Sequence, residues 1–138
     1  RSTSSAASDV YKRQDEYSET VCYLVSTMKK KLLYIPDIDK WHLWDKDIKE
    51  MIKIVDYALL DGTFYQDGEL SKDMSKTPHP FVKESMMLFK DLSKQNKQKV
   101  FFTHLNHTNP LIIKESKEQF EVKKLGFNFA MDNLVLEL

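Results

Sequence analysis

A chain of 138 residues is expected to fold as one domain with a modest core, burying roughly two thirds of the surface its unfolded form exposes. Its 21 basic and 21 acidic side chains cancel, which removes any general electrostatic attraction to nucleic acid or to an anionic membrane. One cysteine excludes a disulfide framework, and no apolar run approaches the roughly 20 residues of a membrane span, so the composition suits a reducing, cytoplasmic setting.

The chain opens on "RSTSSAASDVYKRQ", a small, polar stretch with neither helical nor strand period. Residues 1–14 are therefore expected to be disordered, and their likeness to translated adapter sequence marks them as a non-native leader on a truncated protein. "ETVCYLVS" and "KKLLYIPD" then predict two strands joined as an antiparallel hairpin by a lysine-rich turn, with Cys22 as a buried, inert thiol. "WDKDIKEMIKIV" sets Trp44, Ile48, Met51, Ile52 and Val55 on one helical face, with Asp45 as the N-cap. "VDYALL" is apolar on both faces, as a strand covered by helices should be, and ends at Asp61-Gly62.

The connection over residues 61–78 is long for a compact domain and is read as a rim or lid. "HPFVKESMMLFKDLSK" predicts a helix that buries Val82, Met86, Phe89 and Leu92, with Pro80 in its first turn. His79 would then sit at the helix N-terminus, where the positive potential keeps an imidazole neutral. "KVFFT" is a short buried strand running into "HLNHTNP". "SKEQFEVKKLG" shows a capping box from Ser116 to Gln119 and a closing Gly126, and "FNFAMDNLVLEL" predicts a final hairpin turning at Asp132-Asn133.

Strands ending at Pro36, Leu60 and Thr103 are joined through helices, so they should run parallel and share one carboxyl edge, where open α/β sheets bind ligands. Asp37, Asp61 and His104 fall within a residue or two of that edge, and the loop before the helix returns His79 to it. Carboxylate and imidazole together suit a borderline divalent cation. Plainer readings stand beside this one: Asp37 as a turn residue after Pro36, Asp61-Gly62 as a strand-ending turn, His79 as a helix cap. His104 differs, because Asn106, His107 and Asn109 surround it with more polar neighbours than a satisfied core histidine requires. His107 either supports that shell or faces solvent, Asn109 joins the shell or positions Pro110, and His42 in "WHLW" packs between Trp41 and Trp44.

The segments "LLYIPDID", "VDYALLDGTFYQDGEL", "HPFVKES", "FFTHLNHTNPLI" and "GFNFAMDNLVLEL", in this order, resemble the metallo-β-lactamase superfamily, and within it the coenzyme PQQ synthesis B proteins. The resemblance implies an α/β fold over residues 15–138: the C-terminal half of an αββα sandwich, a mixed sheet with helices on one side. By motif match Asp37 and His104 would hold metal, and His79 matches a histidine that assists proton transfer in related tRNA-processing nucleases. Asp61, Asn106, His107 and Asn109 would form the surrounding shell or contact substrate. The superfamily's "H-x-H-x-D-H" motif is absent, so the metal site, for zinc with iron or manganese as alternatives, is incomplete in these residues.

The same resemblance implies, for the parent protein, a metal-dependent oxidase or hydrolase acting on a small-molecule substrate in PQQ biosynthesis, the fragment itself being inactive. Non-catalytic transport of PQQ or another small molecule is the alternative. A phosphodiester hydrolase is a further one, although neutral charge and the lack of arginine after Arg13 argue against a nucleic-acid partner. The implied partner is the missing N-terminal half of the domain, without which an exposed apolar sheet face favours homo-oligomers.

Overall fold

Six strands pair in the order in which they occur along the chain, in a computed structural model that describes residues 7–14 and 19–138. β1 (Ala7–Gln14) and β2 (Glu19–Ser26) are antiparallel, in a register that sets Ala7 opposite Ser26. The expectation of disorder over residues 1–14 is thus corrected for Ala7–Gln14; residues 1–6 lie outside the described residues. A strand can be recruited onto an open sheet edge through its main-chain donors and acceptors, with no need of a side-chain period.

β2 turns into β3 (Lys31–Ile35) as the expected hairpin, where the Thr27 hydroxyl accepts from the Lys30 amide at 3.0 Å. After a 3-10 turn at Trp41–Leu43 comes α1 (Ile48–Ile54). Its N-cap is Asp47, whose carboxylate accepts from the Lys49 amide at 2.8 Å, so the cap lies two residues beyond the expected Asp45 and Trp44 stays outside the helix. Two aspartates of equal capping chemistry stand there, and which one caps is set by where the chain turns. Trp44 packs edge-on against Trp41 with centroids 6.4 Å apart; His42 is exposed, not wedged between them as expected.

β4 (Tyr57–Asp61), β5 (Val100–Thr103) and β6 (Asn128–Phe129) extend the sheet in parallel from β3, giving a mixed sheet. Between β4 and β5, α2 covers Val82–Leu88 and the short α3 covers Lys94–Lys97. The single helix predicted from His79 is shorter for a local reason: the Ser93 hydroxyl accepts from the Asn96 amide at 3.2 Å and starts a new turn. A 3-10 turn at Pro110–Ile112 precedes α4 (Lys117–Lys124). Ser116 caps α4, and Gly126, at φ +94, closes it with bonds from Gly126 N to Lys123 O and from Phe127 N to Val122 O. The predicted C-terminal hairpin is corrected. β6 reaches the sheet from α4 and so enters parallel to β5, and although Asn133 turns at φ +65, Val135 and Leu138 beyond it are exposed.

Alternation along the strands gives the sheet two unlike faces. Leu33, Ile35, Ala58, Leu60, Val100 and Phe102 are sealed against the helices, where each large side chain contributes roughly 2 kcal/mol of transfer free energy. Their sheet neighbours Tyr34, Leu59 and Phe101 lie on the other face, and Tyr23 and Tyr34 there are 38% and 37% exposed. Among the described residues no helix is long and apolar enough to cross a membrane.

Cys22 lies on the sealed face, and burial first, then the charge of Asp45, push its thiol up to about 11. In the folded chain it should resist iodoacetamide at pH 8 and react once denaturant is added; equal rates in both states would contradict its burial. Gly62 approaches Phe102 so closely that an added Cβ would lie 2.9 Å from the Phe102 Cβ and 3.0 Å from the Thr103 carbonyl oxygen. Gly62→Ala should therefore cost about 1–3 kcal/mol in urea unfolding, the usual penalty of overpacking.

Candidate functional site

β4 ends by placing a carboxylate where the side chain has no access to water: Asp61 is fully buried. Such a group persists as an anion only if its lone pairs are occupied. Asp61 has four donors: Ile38 N at 3.0 Å and His79 Nδ1 at 2.7 Å on Oδ2, Thr63 N at 2.9 Å and Thr63 Oγ1 at 2.8 Å on Oδ1. They come from the loop after β3, the loop after β4 and the segment before α2, so a single buried charge pins three connections to one sheet edge.

The network also fixes two imidazole tautomers. Asp61 can only accept, so His79 donates its Nδ1 proton and turns Nε2 into its chemically available nitrogen. Thr63 has one hydroxyl proton and gives it to Asp61, so at 2.9 Å its oxygen accepts from His104 Nδ1, which likewise leaves Nε2 of His104 with a free lone pair. The two rings lie 6.4 Å apart. His104 itself adopts φ +59 immediately after β5, a left-handed conformation in which histidine is tolerated better than a β-branched residue.

Asp37, Asp61 and His79 each bring one ligand-type atom within 4.8 Å of the others. Asp61 is saturated by its donors, however, and the Nδ1 of His79 is committed to it, so the exposed carboxylate of Asp37, 3.6 Å from that nitrogen, and the Nε2 of His79 are the positions left to a cation. Burial lowers the proton affinity of His79, but the bond and charge of Asp61, followed by the charges of Asp37 and Asp39, outweigh it, and the net shift is upward. The expectation of an imidazole held neutral by a helix end is thereby corrected. α2 begins at Val82 with Phe81 as its N-cap, so His79 lies outside the helix and faces carboxylates instead.

The remaining shell ties loops together. Buried Asn109 donates from Nδ2 to the Gly62 carbonyl at 2.7 Å and accepts from Leu111 N at 2.9 Å. Asn106 donates its amide to the Thr63 carbonyl at 3.0 Å and its Nδ2 to Thr108 Oγ1 at 2.7 Å. His107 is exposed, with no side-chain hydrogen bond among the described residues. The rim over residues 61–78 is held down by Glu69, which accepts from Tyr65 N and from Thr108 Oγ1, both at 2.6 Å.

Sequence reasoning passed over Thr63 and Lys40. Thr63 carried a local signal, since a threonine two residues after an aspartate is placed for an Asx-type turn. Lys40 had none: its Nζ donates to the His79 carbonyl at 2.8 Å and pairs with Glu84 at 3.0 Å, while the same Glu84 oxygen accepts from Phe81 N at 2.9 Å. The loop bearing Asp37 is thus fastened to the segment bearing His79.

The family model described as Beta-lactamase superfamily domain matches residues 2–105. Coenzyme PQQ synthesis protein B of Methylorubrum extorquens strain PA1 is 28% identical over 129 residues, which cover 89% of this chain and 42% of that protein. The Acinetobacter baylyi protein of the same name is 28% identical over 116 residues, covering 78% and 36% respectively. Among solved structures, zinc-bound PqqB from Methylobacterium extorquens superposes with a TM-score of 0.72 at 26% identity, covering 95% of this chain and 47% of that one. The chain spans less than half the length of each of these relatives.

Removing the buried acceptor should be costly. Asp61→Ala strands donors from Ile38, Thr63 and His79 and is expected to lose roughly 3 kcal/mol in urea unfolding. Because folding raises the pKa of His79, its contribution to stability is complete below the unfolded value of about 6.5 and is lost as pH rises through the folded value. The urea midpoint should fall over that interval in the parent chain, and His79→Gln should flatten that limb; an unchanged pH profile would contradict the His79–Asp61 pairing.

Proposed function

This chain belongs to the beta-lactamase superfamily, and from that premise we propose that it is the portion of a coenzyme PQQ synthesis B-type protein that contributes Asp37 and His104 to a divalent-metal site, with His79 as the proton-transfer group. The observation that carries the reading is the chain of hydrogen bonds from His79 through Asp61 and Thr63 to His104. Metal-binding histidines are characteristically held by such an outer partner on the second ring nitrogen.

A carboxylate and an imidazole Nε2 fit zinc, with iron or manganese as alternatives. Two protein donors are fewer than a zinc site takes, so the remaining ligands are assigned to the other half of the domain, packed on the open sheet face around Tyr23 and Tyr34. When bound, the cation would supply Lewis acidity toward a small-molecule substrate. His79, secured at Nδ1 by Asp61 and with its proton affinity raised, takes or gives a proton at Nε2. Asn106 and Asn109 keep the loops of Thr63 and His104 in register, and exposed His107 is assigned to substrate contact.

The reaction proposed for the complete protein is oxidation or hydrolysis of a small molecule in PQQ biosynthesis, in the cytoplasm and without a nucleic-acid partner. The short donor set favours a second reading, in which the fold binds and carries such a molecule without transforming it.

Metal content and activity separate the two readings. In a protein that joins this chain to the segment holding the other ligands, Asp37→Ala and His104→Ala should each lower bound zinc measured by mass spectrometry. Thr63→Val, which keeps shape but cuts the link to His104, should weaken metal binding by roughly 10- to 100-fold. Unchanged metal content in both alanine variants would reject the ligand assignment. Full metal content with no turnover of a PQQ precursor would favour the carrier.

A further inference from the structure

The helical side of the molecule holds a cavity of about 470 Å³ between α2, α3 and the end of α4, away from Asp61 and its histidines. Its volume falls within the range of small-molecule sites. Phe127, only 2% exposed, and Met86, 4% exposed, supply an apolar floor, with Met87 and Leu125 as more open walls. Methionine side chains adapt their shape to irregular apolar guests.

The rim is cationic. Lys83, Lys90 and Lys97 line the cavity with one carboxylate, Glu121. That carboxylate accepts a hydrogen bond from the hydroxyl of buried Tyr65 and is outnumbered by the three ammonium groups. Among the described residues none of the three lysines makes an ion pair. Two of them stand over aromatic rings, Lys83 Nζ at 5.6 Å from the Tyr65 centroid and Lys97 Nζ at 5.9 Å from that of Phe127. Two of the three ammonium heads thus lie beside the aromatic rings, and a cation held only in this way can still meet an anion.

We infer that this cavity binds a free amphiphilic carboxylate, an aliphatic or aromatic acid whose apolar body rests on Met86 and Phe127 and whose carboxylate meets the ammonium groups of Lys83, Lys90 and Lys97. An uncharged amphiphile would gain only the apolar contact, and an amine would be repelled by the rim. The function proposed above plays no part in this inference, since no residue of the Asp61 network lines the cavity.

Octanoate is a suitable probe, read by NMR in the chain labelled at its methionine methyl groups. Saturable shifts at Met86 and Met87 are expected, with none at Met28, which is 95% exposed in the β2–β3 turn. Octanol should bind about fivefold more weakly, the equivalent of one to two exposed ion pairs. The variant Lys83→Gln/Lys90→Gln/Lys97→Gln, altered at two exposed positions and at half-buried Lys97, should bind octanoate no better than octanol. Equal affinities for octanoate and octanol in the parent chain would overturn the inference. So would a lack of saturation at Met86 and Met87, or a response to anionic phosphatidylserine vesicles but not to free octanoate.

Discussion

A carboxylate removed from water at the end of β4 constrains the rest of this molecule, because an uncompensated charge in that position would cost several kcal/mol. Asp61 is stabilised by donors arriving from three separate connections, so the loops can be arranged in few other ways without stranding it. Its consequences reach beyond stability. With acceptor-only chemistry it dictates that His79 and, through the Thr63 hydroxyl, His104 carry their protons on Nδ1. One buried anion therefore sets the protonation geometry of two imidazoles.

The sheet makes this economy of residues attainable. β3, β4 and β5 are parallel, so their carboxyl ends share one edge, and each strand hands its next few residues to the same mouth. Gly62 allows the chain leaving β4 to pass against Phe102 and Thr103, where any side chain would clash. Glu69, Asn106 and Asn109 then fasten the segment after β4 to the segment after β5. Lys40 does the same across to Glu84 and the His79 carbonyl. Positioning is distributed over polar contacts of this kind, as expected where side chains must be held by their surroundings.

The two faces of the sheet meet different demands. One is sealed by helices over Leu60, Val100 and Phe102, and the other presents Tyr23, Tyr34, Leu59 and Phe101 at intermediate or greater exposure. The chain as a whole spans less than half the length of its relatives. The helical layer, in turn, is closed over the sheet but leaves the lysine-rimmed cavity between α2 and α4.

Much of this was legible in the order of residues. The strands around Leu33, Leu60 and Phe102, the inward face of α2 from Val82 to Phe89, the Ser116 cap and the Gly126 stop follow from period and local chemistry, which act within a few positions of one another. So did the gathering of Asp37, Asp61, His79 and His104 at one edge, because the parallel strands end there and the segment before α2 returns to it. The sequence alone did not reveal how those groups bond, that β1 extends the sheet, that β6 joins parallel to β5, or that carboxylates rather than a helix end govern His79. In the site, the bonds that fix His79 and His104 join residues 18 and 41 positions apart. Hydrogen bonds of that reach exist only once the loops have converged, and no periodicity along the chain records which donor will arrive at which oxygen.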